Sequence, residues 1–381
     1  MDVPMTAALL PHPGLVRTGE PPAVQRAAMA RILGVGTAVP ATSYTQAEVV
    51  DLLGITDPRI RSVFRNSAID RRYLTMPPAG PDGRPRPEPT GALLAKHRAQ
   101  GVAMGSRAVQ ECLKQIGADP ADIRYLCCVT STGFLTPGFS ALLIRELDLD
   151  PHTGRVDVVG MGCNAGLNSL NATAGWARAN PGELAVMVCT EACSAAYVSD
   201  GTMRTAVVNS LFGDGAAAVA LVAGPAVADG TDRPPAPRVI DFTSRIITEA
   251  LGAMRYDWDE AHQGFSFYLD PEIPYVVGAH ARATVDRLLG RSGLRQDDIA
   301  HWLVHSGGKK VIDSVGVNLG LTRYDLRHTS GVLRDYGNLS SGSFLFSYER
   351  LLNEGTVRPG EYGVLMTMGP GSTIETALVR W

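Results

Sequence analysis

The stretch "VVGMGCNAGLNSL", from Val158 to Leu170, decides the fold of this chain. An apolar, strand-like run from Val156 to Val159 leads into a turn of small residues that contains Cys163. After the turn, apolar residues recur at helical spacing, namely Leu167, Leu170, Ala174 and Ala177. The pattern predicts a strand, a glycine turn and a helix, with Cys163 at the start of the helix.

Cys163 has two possible interpretations. Free cysteine is among the most buried residue types and usually behaves as a small hydrophobe. A helix N-terminus, however, presents unpaired N–H groups and a positive potential that favour a thiolate. Gly160, Gly162 and Gly166 also leave space for a substrate to approach. We therefore interpret Cys163 as a candidate nucleophile, and we expect the other cysteines, which lack this setting, to be packing residues.

Two parts of the chain repeat the same order of features. "DIRYLCCVTSTG" from Asp122 precedes "NPGELAVMVCTEACS", and "DIAHWLVHSGG" from Asp298 precedes "RPGEYGVLMTMGPGS". Each part offers a polar start, an apolar strand, a helical segment, and then Pro-Gly-Glu followed by a second apolar strand, at nearly equal spacing. The repeat predicts a duplicated α/β unit, with layered sheets covered by helices.

Composition excludes several classes of protein. Hydrophobic residues make up 45% and charged residues 19% of the 381 residues, which is typical of a globular protein with a large core. The net charge of −3 does not favour nucleic acid as a partner. The six cysteines show neither a disulfide framework nor zinc spacing. No signal peptide and no membrane-spanning run is visible, so we expect a cytoplasmic protein without a metal.

Segments rich in proline and glycine mark the expected boundaries. Residues 1–28 contain five prolines and predict a mobile N-terminal tail. "ADGTDRPPAPR", from Ala228 to Arg238, predicts a boundary near residue 235, which separates a first half (29–235) with Cys163 from a second half (236–381). "TMPPAGPDGRPRPEPTG", from Thr75 to Gly91, predicts an excursion or lid within the first half.

A nucleophilic thiol needs polar partners, and two residues of the second half are candidates. His305 ends the apolar strand "HWLVHSGG" and precedes two glycines; it could equally be a hydrogen-bonded histidine at a strand end. Asn338 lies in "DYGNLSSGS", at the start of an apolar helix, where it could equally be an N-cap. Each residue alone is ambiguous, whereas the three motifs together are much more specific.

These motifs resemble those of the thiolase-fold condensing enzymes, and within them the type III polyketide synthases of the chalcone synthase family. "VGMGCNAG", "WLVHSGG" and "YGNLSSGS" match the cysteine, histidine and asparagine motifs, and "LFGDGAAAV" and "MGPGSTIETALVRW" match two further family signatures. The resemblance covers nearly the whole chain from about Arg31. It implies an αβαβα fold of two fused halves, a homodimer, and Cys163, His305 and Asn338 as catalytic residues.

Related enzymes with similar chemistry fit less well. Initiating ketosynthases of fatty-acid synthesis carry a His-Gln-Ala-Asn pattern, whereas Ser-Gly-Gly-Lys follows His305 here. The resemblance therefore implies CoA thioesters as substrates, no carrier protein and no cofactor. For hydroxymethylglutaryl-CoA synthase, the catalytic glutamate cannot be placed in this sequence.

The resemblance also implies residues around a substrate cavity. Phe212 and Phe267 match the two phenylalanines at the junction of the CoA tunnel and the cavity. Further cavity positions, including the glycine-proline-glycine loop, fall on Trp258, Ala196, Ser340, Gly369, Pro370 and Gly371. Basic residues in the regions that bind CoA in the family are Arg65, Arg71, Arg72, Lys309 and Lys310, although they could also be solvated surface charges.

The implied reaction is iterative condensation of malonyl-CoA. Cys163 would carry the acyl chain, and His305 and Asn338 would stabilise the enolate formed by decarboxylation. The cysteine region and the 75–91 excursion are most similar to bacterial members of antibiotic pathways that condense four malonyl units, one as starter; a bulky Trp258 in the cavity would suit a small starter. The alternatives are a member that uses five units, a cysteine hydrolase, and a non-catalytic protein that binds acyl-CoA.

Overall fold

The computed structural model describes residues 29–81, 85–86, 88–196, 201–224, 236–261 and 263–381. The predicted tail at residues 1–28 lies outside the described residues, and so does most of the segment around the predicted boundary at residue 235. Within these ranges, no helix combines the length and the apolar character needed to cross a membrane.

The first half of the chain alternates strands and helices, as its repeat predicts. The strands are β1 (Ala30–Ala38), β2 (Ser43–Thr45), β3 (Arg71–Tyr73), β4 (Ile123–Thr130), β5 (Gly154–Val159), β6 (Leu184–Glu191) and β7 (Gly215–Ala223). The helices are α1 (Gln46–Leu52), α2 (Pro58–Arg65), α3 (Thr90–Ile116), α4 (Phe139–Glu146), α5 (Ala165–Ala179) and α6 (Met203–Leu211).

The second half follows the same plan. Its strands are β8 (Arg238–Ile246), β9 (Met254–Asp259), β10 (Gly264–Leu269), β11 (Ile299–Val304), β12 (Tyr362–Gly369) and β13 (Thr373–Arg380). Its helices are α7 (Ile273–Gly290), α8 (Lys309–Leu319), α9 (Arg327–Tyr336) and α10 (Ser343–Glu354). The strands β9 and β10 form a separate hairpin.

The main sheet shows the duplication directly. In the described part of the chain its order is β11-β12-β13-β8-β1-β7-β6-β4-β5, and β1 joins β8 through the pair Arg31–Arg238. On one side of this seam β1 pairs with the antiparallel strand β7, and on the other side β8 pairs with the antiparallel strand β13. The two strands of each repeat then lie side by side and parallel, β6 with β4 and β12 with β11. The predicted duplicated α/β unit is confirmed, and β5 is an additional strand at one edge.

Helices cover both faces of each half-sheet and form the predicted αβαβα layers. The helices α5 and α10 contact strands of both halves and form the central layer. Their apolar residues, such as Leu170 and Phe344, share one core with residues of both half-sheets. On the outer faces, α3 packs against the first half and α7 against the second. Strands buried on both faces explain the nearly continuous apolar runs of β4 and β6.

The two central helices meet at their N-terminal ends. Gly166, in the first turn of α5, lies so close to the turn before α10 that a Cβ on this glycine would be 2.1 Å from Ser341 O. A short 3-10 turn precedes each helix, Gly162–Asn164 before α5 and Ser340–Gly342 before α10. This close packing brings the cysteine motif and the asparagine motif into one place.

Candidate active site

Cys163 lies where the sequence predicts it, in the turn between a strand and a helix. The strand β5 ends at Val159, and Gly160 and Gly162 adopt φ angles of +83° and +76°, which favour glycine. Cys163 follows in the 3-10 turn, and α5 begins at Ala165. The side chain is 9% exposed and faces a cavity.

The glycine-proline-glycine loop packs directly against this turn. A Cβ on Gly162 would lie 2.2 Å from Pro370 Cδ, and a Cβ on Gly369 would lie 3.0 Å from Cys163 N. Larger residues at either glycine would push the loop away from the thiol. Pro370 lines the cavity beside Cys163, while Gly369 lies against the backbone behind it.

His305 and Asn338 are both buried and are connected through Gly307. Gly307 N donates a hydrogen bond to His305 O (2.9 Å), and Gly307 O accepts one from Asn338 Nδ2 (3.3 Å). Asn338 Oδ1 accepts a hydrogen bond from Ser340 N (2.8 Å), and the Cys163 thiol contacts Ser340 Oγ (3.6 Å). These contacts link the three motifs in sequence, with Gly307 between His305 and Asn338 and Ser340 between Asn338 and the thiol; of the three side chains, Cys163 lines the cavity and His305 and Asn338 do not.

Burial disfavours charge on both the thiol and the imidazole. Burial raises the pKa of Cys163 to about 12, although hydrogen bonds from Ser340 and Asn338 act in the opposite direction. Burial lowers the pKa of His305 to about 3, and its Nδ1 has no hydrogen-bond partner among the described residues. Burial therefore favours the neutral thiol and the neutral imidazole in this arrangement.

Glu191 is a buried acid near the thiol that the sequence analysis missed. Its Oε1 accepts a hydrogen bond from Ser341 Oγ (2.5 Å), and its Oε2 accepts one from Ser131 N (2.9 Å). Burial raises the pKa of Glu191, and its charge contributes to the raised pKa of Cys163. The signal was present in the sequence, because a glutamate ends the otherwise apolar strand β6.

The cavity contains most of the residues that the resemblance places there. Its lining includes Cys163, Ala196, Phe212, Phe267, Ser340 and Pro370. The rings of Phe212 and Phe267 meet edge to face, with centroids 6.0 Å apart. The cavity volume of about 40 Å³ accommodates only a few water molecules. A longer acyl chain therefore requires the aromatic side chains to move.

Trp258 does not form the cavity wall that the sequence analysis expected. Its side chain is 47% exposed and packs against Phe265, with ring centroids 5.3 Å apart. Within the described chain the aromatic wall residue of this strand is Tyr256, which is itself 42% exposed but lines the cavity and contacts Phe267. The reason is the position along the hairpin: Phe267 pairs with Tyr256, whereas Trp258 pairs with Phe265, two pairs closer to the turn.

The basic residues expected at CoA fall into two groups. Arg65, Arg71, Lys309 and Lys310 are exposed, and Lys309 forms an ion pair with Asp313 one turn further along α8. Arg72, in contrast, is completely buried, and its guanidinium donates to Gln46 and to backbone carbonyl groups. The expectation that Arg72 contacts CoA is therefore wrong, because no part of it reaches the surface.

Known proteins are similar to this chain over most of its length. The models of the chalcone and stilbene synthases match residues 20–225 (N-terminal domain) and 244–381 (C-terminal domain). The 3,5-dihydroxyphenylacetyl-CoA synthase of Amycolatopsis balhimycina is 65% identical over 382 residues, which covers 100% of both chains. That of Streptomyces toyocaensis is 68% identical over 351 residues and covers 92% of this chain and 90% of the relative.

A solved structure extends the likeness to three dimensions. The 1,3,6,8-tetrahydroxynaphthalene synthase of Streptomyces coelicolor, a bacterial type III polyketide synthase, superimposes with a TM-score of 0.82 at 26% identity. The match covers 92% of this chain and 99% of that one. With both domain models matched, and a cysteine, a histidine and an asparagine gathered at the junction of two duplicated halves, this chain belongs to the chalcone and stilbene synthase family of type III polyketide synthases.

Proposed function

We propose that this acyltransferase condenses four malonyl-CoA units, one of them as starter, into 3,5-dihydroxyphenylacetyl-CoA, as a step in antibiotic biosynthesis. The observation that carries the proposal is the 65% identity to an enzyme of that name over the full length of both chains. The cavity beside Cys163 supports an acyl-transfer site there, because the thiol faces it beside Phe212 and Phe267.

The proposed reaction begins with Cys163. Its sulfur attacks the thioester carbonyl of the starter, the carbon–sulfur bond to CoA breaks, and the thiol proton leaves with the CoA thiol. His305 holds this proton during the attack, before it reaches the CoA sulfur, because the buried thiolate needs a neighbouring positive charge. The acyl chain is then held on Cys163 inside the cavity.

Extension follows from decarboxylation of a second malonyl-CoA. Loss of CO₂ leaves an enolate, whose negative oxygen accepts hydrogen bonds from His305 and Asn338. The enolate carbon attacks the Cys163 thioester, a carbon–carbon bond forms, and the sulfur of Cys163 leaves. The lengthened chain is now a CoA thioester, so the Cys163 sulfur attacks it again and CoA leaves before the next extension. Three such extensions, with loss of the starter's carboxylate as CO₂, give a tetraketide, and the cavity directs its ring closure.

We also propose the organisation of the protein around this site. Residues 29–235 and 236–381 form the two halves, and the protein acts as a cytoplasmic homodimer. The proposed reaction needs CoA thioesters alone, with no cofactor, metal or carrier protein. Sedimentation of the purified full-length chain, with and without malonyl-CoA, tests the proposed dimer.

Incubation with malonyl-CoA as sole substrate tests the proposed function. We expect CO₂ release and a product with the mass of dihydroxyphenylacetate or its CoA ester, measured by liquid chromatography and mass spectrometry. Cys163→Ala is the control and should yield no polyketide. A pentaketide naphthalene would favour the five-unit alternative, release of malonate a hydrolase, and binding without turnover a non-catalytic protein.

A further inference from the structure

We propose that Arg72 is a positioning residue, which holds the gate residue Phe212 and the oxyanion residue Asn338 in place for decarboxylation of malonyl-CoA. This inference rests on the proposed function, because it assigns a role within that reaction. Arg72 touches neither the cavity nor the surface, so it acts only through the backbone that it binds.

The guanidinium of Arg72 holds the end of the helix that carries Phe212. Its Nη1 donates to Asn209 O and to Phe212 O, both at 2.7 Å. These carbonyl groups belong to the last turn and the C-cap of α6, where carbonyl groups lack intrahelical partners and the helix dipole favours a positive charge. Arg72 thus satisfies two carbonyl groups and fixes the exit of the chain at Phe212.

Gln46 holds the other side of the guanidinium. Gln46 Oε1 accepts hydrogen bonds from Arg72 Nε (3.1 Å) and Nη2 (2.8 Å). The amide of Gln46 in turn donates to Ser67 Oγ (2.8 Å) and Ser210 O (2.7 Å). The planar fork of arginine can serve acceptors on two sides at once, which the single ammonium group of lysine cannot do in the same geometry.

The segment that Arg72 fixes is paired directly with the segment of Asn338. Leu211 O accepts a hydrogen bond from Asn338 N (2.8 Å), and Asn338 O accepts one from Gly213 N (3.0 Å), so Phe212 and Asn338 form a parallel bridge. The aliphatic part of Arg72 packs against Gly337, the residue before Asn338, because a Cβ on Gly337 would lie 2.9 Å from Arg72 Cδ. Arg72 therefore contacts both sides of the bridge.

This arrangement separates the two half-reactions of the enzyme. The turn of Cys163 is held by Gly369 and Pro370, which do not depend on Arg72. Decarboxylation depends on Asn338, whose main chain pairs with the segment that Arg72 holds. Asn338 and Ser340 also lower the pKa of Cys163, but burial is the larger influence on that thiol. A displacement of Asn338 should therefore slow decarboxylation more than alkylation of Cys163, whereas a general loss of structure would slow both alike.

The test compares Arg72→Lys with Arg59→Lys, an exposed arginine of α2. We expect Arg72→Lys to lower the rate of malonyl-CoA decarboxylation by about tenfold or more. Alkylation of Cys163 by iodoacetamide, followed by peptide mapping, should fall by about threefold or less. Arg59→Lys should leave both rates unchanged. Equal rates of decarboxylation in the two variants, or equal losses of decarboxylation and alkylation in Arg72→Lys, would overturn the inference.

A second readout does not depend on turnover. Displacement of Phe212 should change the ratio of Cys163 alkylation by a bulky maleimide to alkylation by iodoacetamide, by about fivefold or more. If the unmutated protein fails to turn over malonyl-CoA, the proposed function fails, and this ratio alone decides the role of Arg72 at the gate. If Arg72→Lys does not fold, the same two measurements are made on Gln46→Met, which removes the acceptor of Arg72 Nε and Nη2.

Discussion

Asn338 offers the sharpest test of the site, because its two ends do different things. Its Oδ1 accepts the backbone hydrogen bond of Ser340 (2.8 Å), which adopts an uncommon φ of +50° at the start of the turn before α10. Its Nδ2 is the donor that we assign to the enolate. The sequence alone left both a structural cap and an oxyanion donor possible, and the structure allows the two roles to be separated.

Replacement by aspartate keeps the acceptor and removes the amide donor, whereas replacement by alanine removes both. Loss of one oxyanion donor typically lowers the rate by ~10²–10³, or about 2.7–4 kcal/mol of transition-state stabilisation. We expect both variants to lose this much decarboxylation at pH 8. Asn338→Ala should also lose about 1–3 kcal/mol of stability, because the buried N–H of Ser340 is left without an acceptor.

The assay pairs CO₂ release from malonyl-CoA with thermal unfolding of each variant. Acyl loading of Cys163 from a preformed thioester, followed by intact-protein mass spectrometry, serves as the control and should change little. The reasoning fails if Asn338→Asp decarboxylates within about threefold of the unmutated protein while Asn338→Ala is inactive. In that case Asn338 acts as a cap and another group stabilises the enolate.

Three further predictions concern the thiol, the cavity and the central helices. Replacing His305 by glutamine should move the alkylation profile of the nucleophilic thiol to higher pH, because the proposed reaction pairs the thiolate with the imidazolium; an unchanged profile would show that no ion pair forms. Tyr256→Ala should admit hexanoyl starters, seen by mass spectrometry of the acyl-enzyme, and the exposed Trp258→Ala should not. Gly166→Ala should destabilise by about 1–3 kcal/mol through steric overlap, while Gly175→Ala on the same helix, with open space around it, should be neutral or stabilising in a melting curve.

Local patterns were sufficient to predict the layered fold and the place of Cys163. An apolar strand, a glycine turn and helical spacing are encoded within a dozen or so neighbouring residues, and the structure confirms each of them. The repeat was equally readable, because its two parts keep the same order of strands and Pro-Gly-Glu turns. These features depend on residues that are close together in the sequence, so their geometry can be predicted without knowing the tertiary contacts.

Features that depend on distant partners could not be read in this way. Tyr256 and Trp258 lie two residues apart on the same face of β9. Only the place of the hairpin against the rest of the fold decides that Tyr256 lines the cavity and Trp258 does not, and nothing in the strand sequence shows that place. Arg72 looked like a surface charge beside Arg71, yet its acceptors come from Gln46 and the end of α6. Glu191 likewise finds its partners in Ser131 and Ser341, far away in the chain.

The duplication explains why two such different motifs meet at one cavity. The central helices α5 and α10 occupy equivalent positions in the two halves, and each begins with a 3-10 turn. Their N-terminal ends pack together at Gly166, so Gly162, Cys163 and Ser340 all face the same space. Helix N-termini favour negative charge. In the proposed reaction the N-terminus of α5 favours the thiolate of Cys163, and the N-terminus of α10 favours the enolate oxygen. Two equivalent helix ends can therefore support two different steps, because the residues in the turns before them differ.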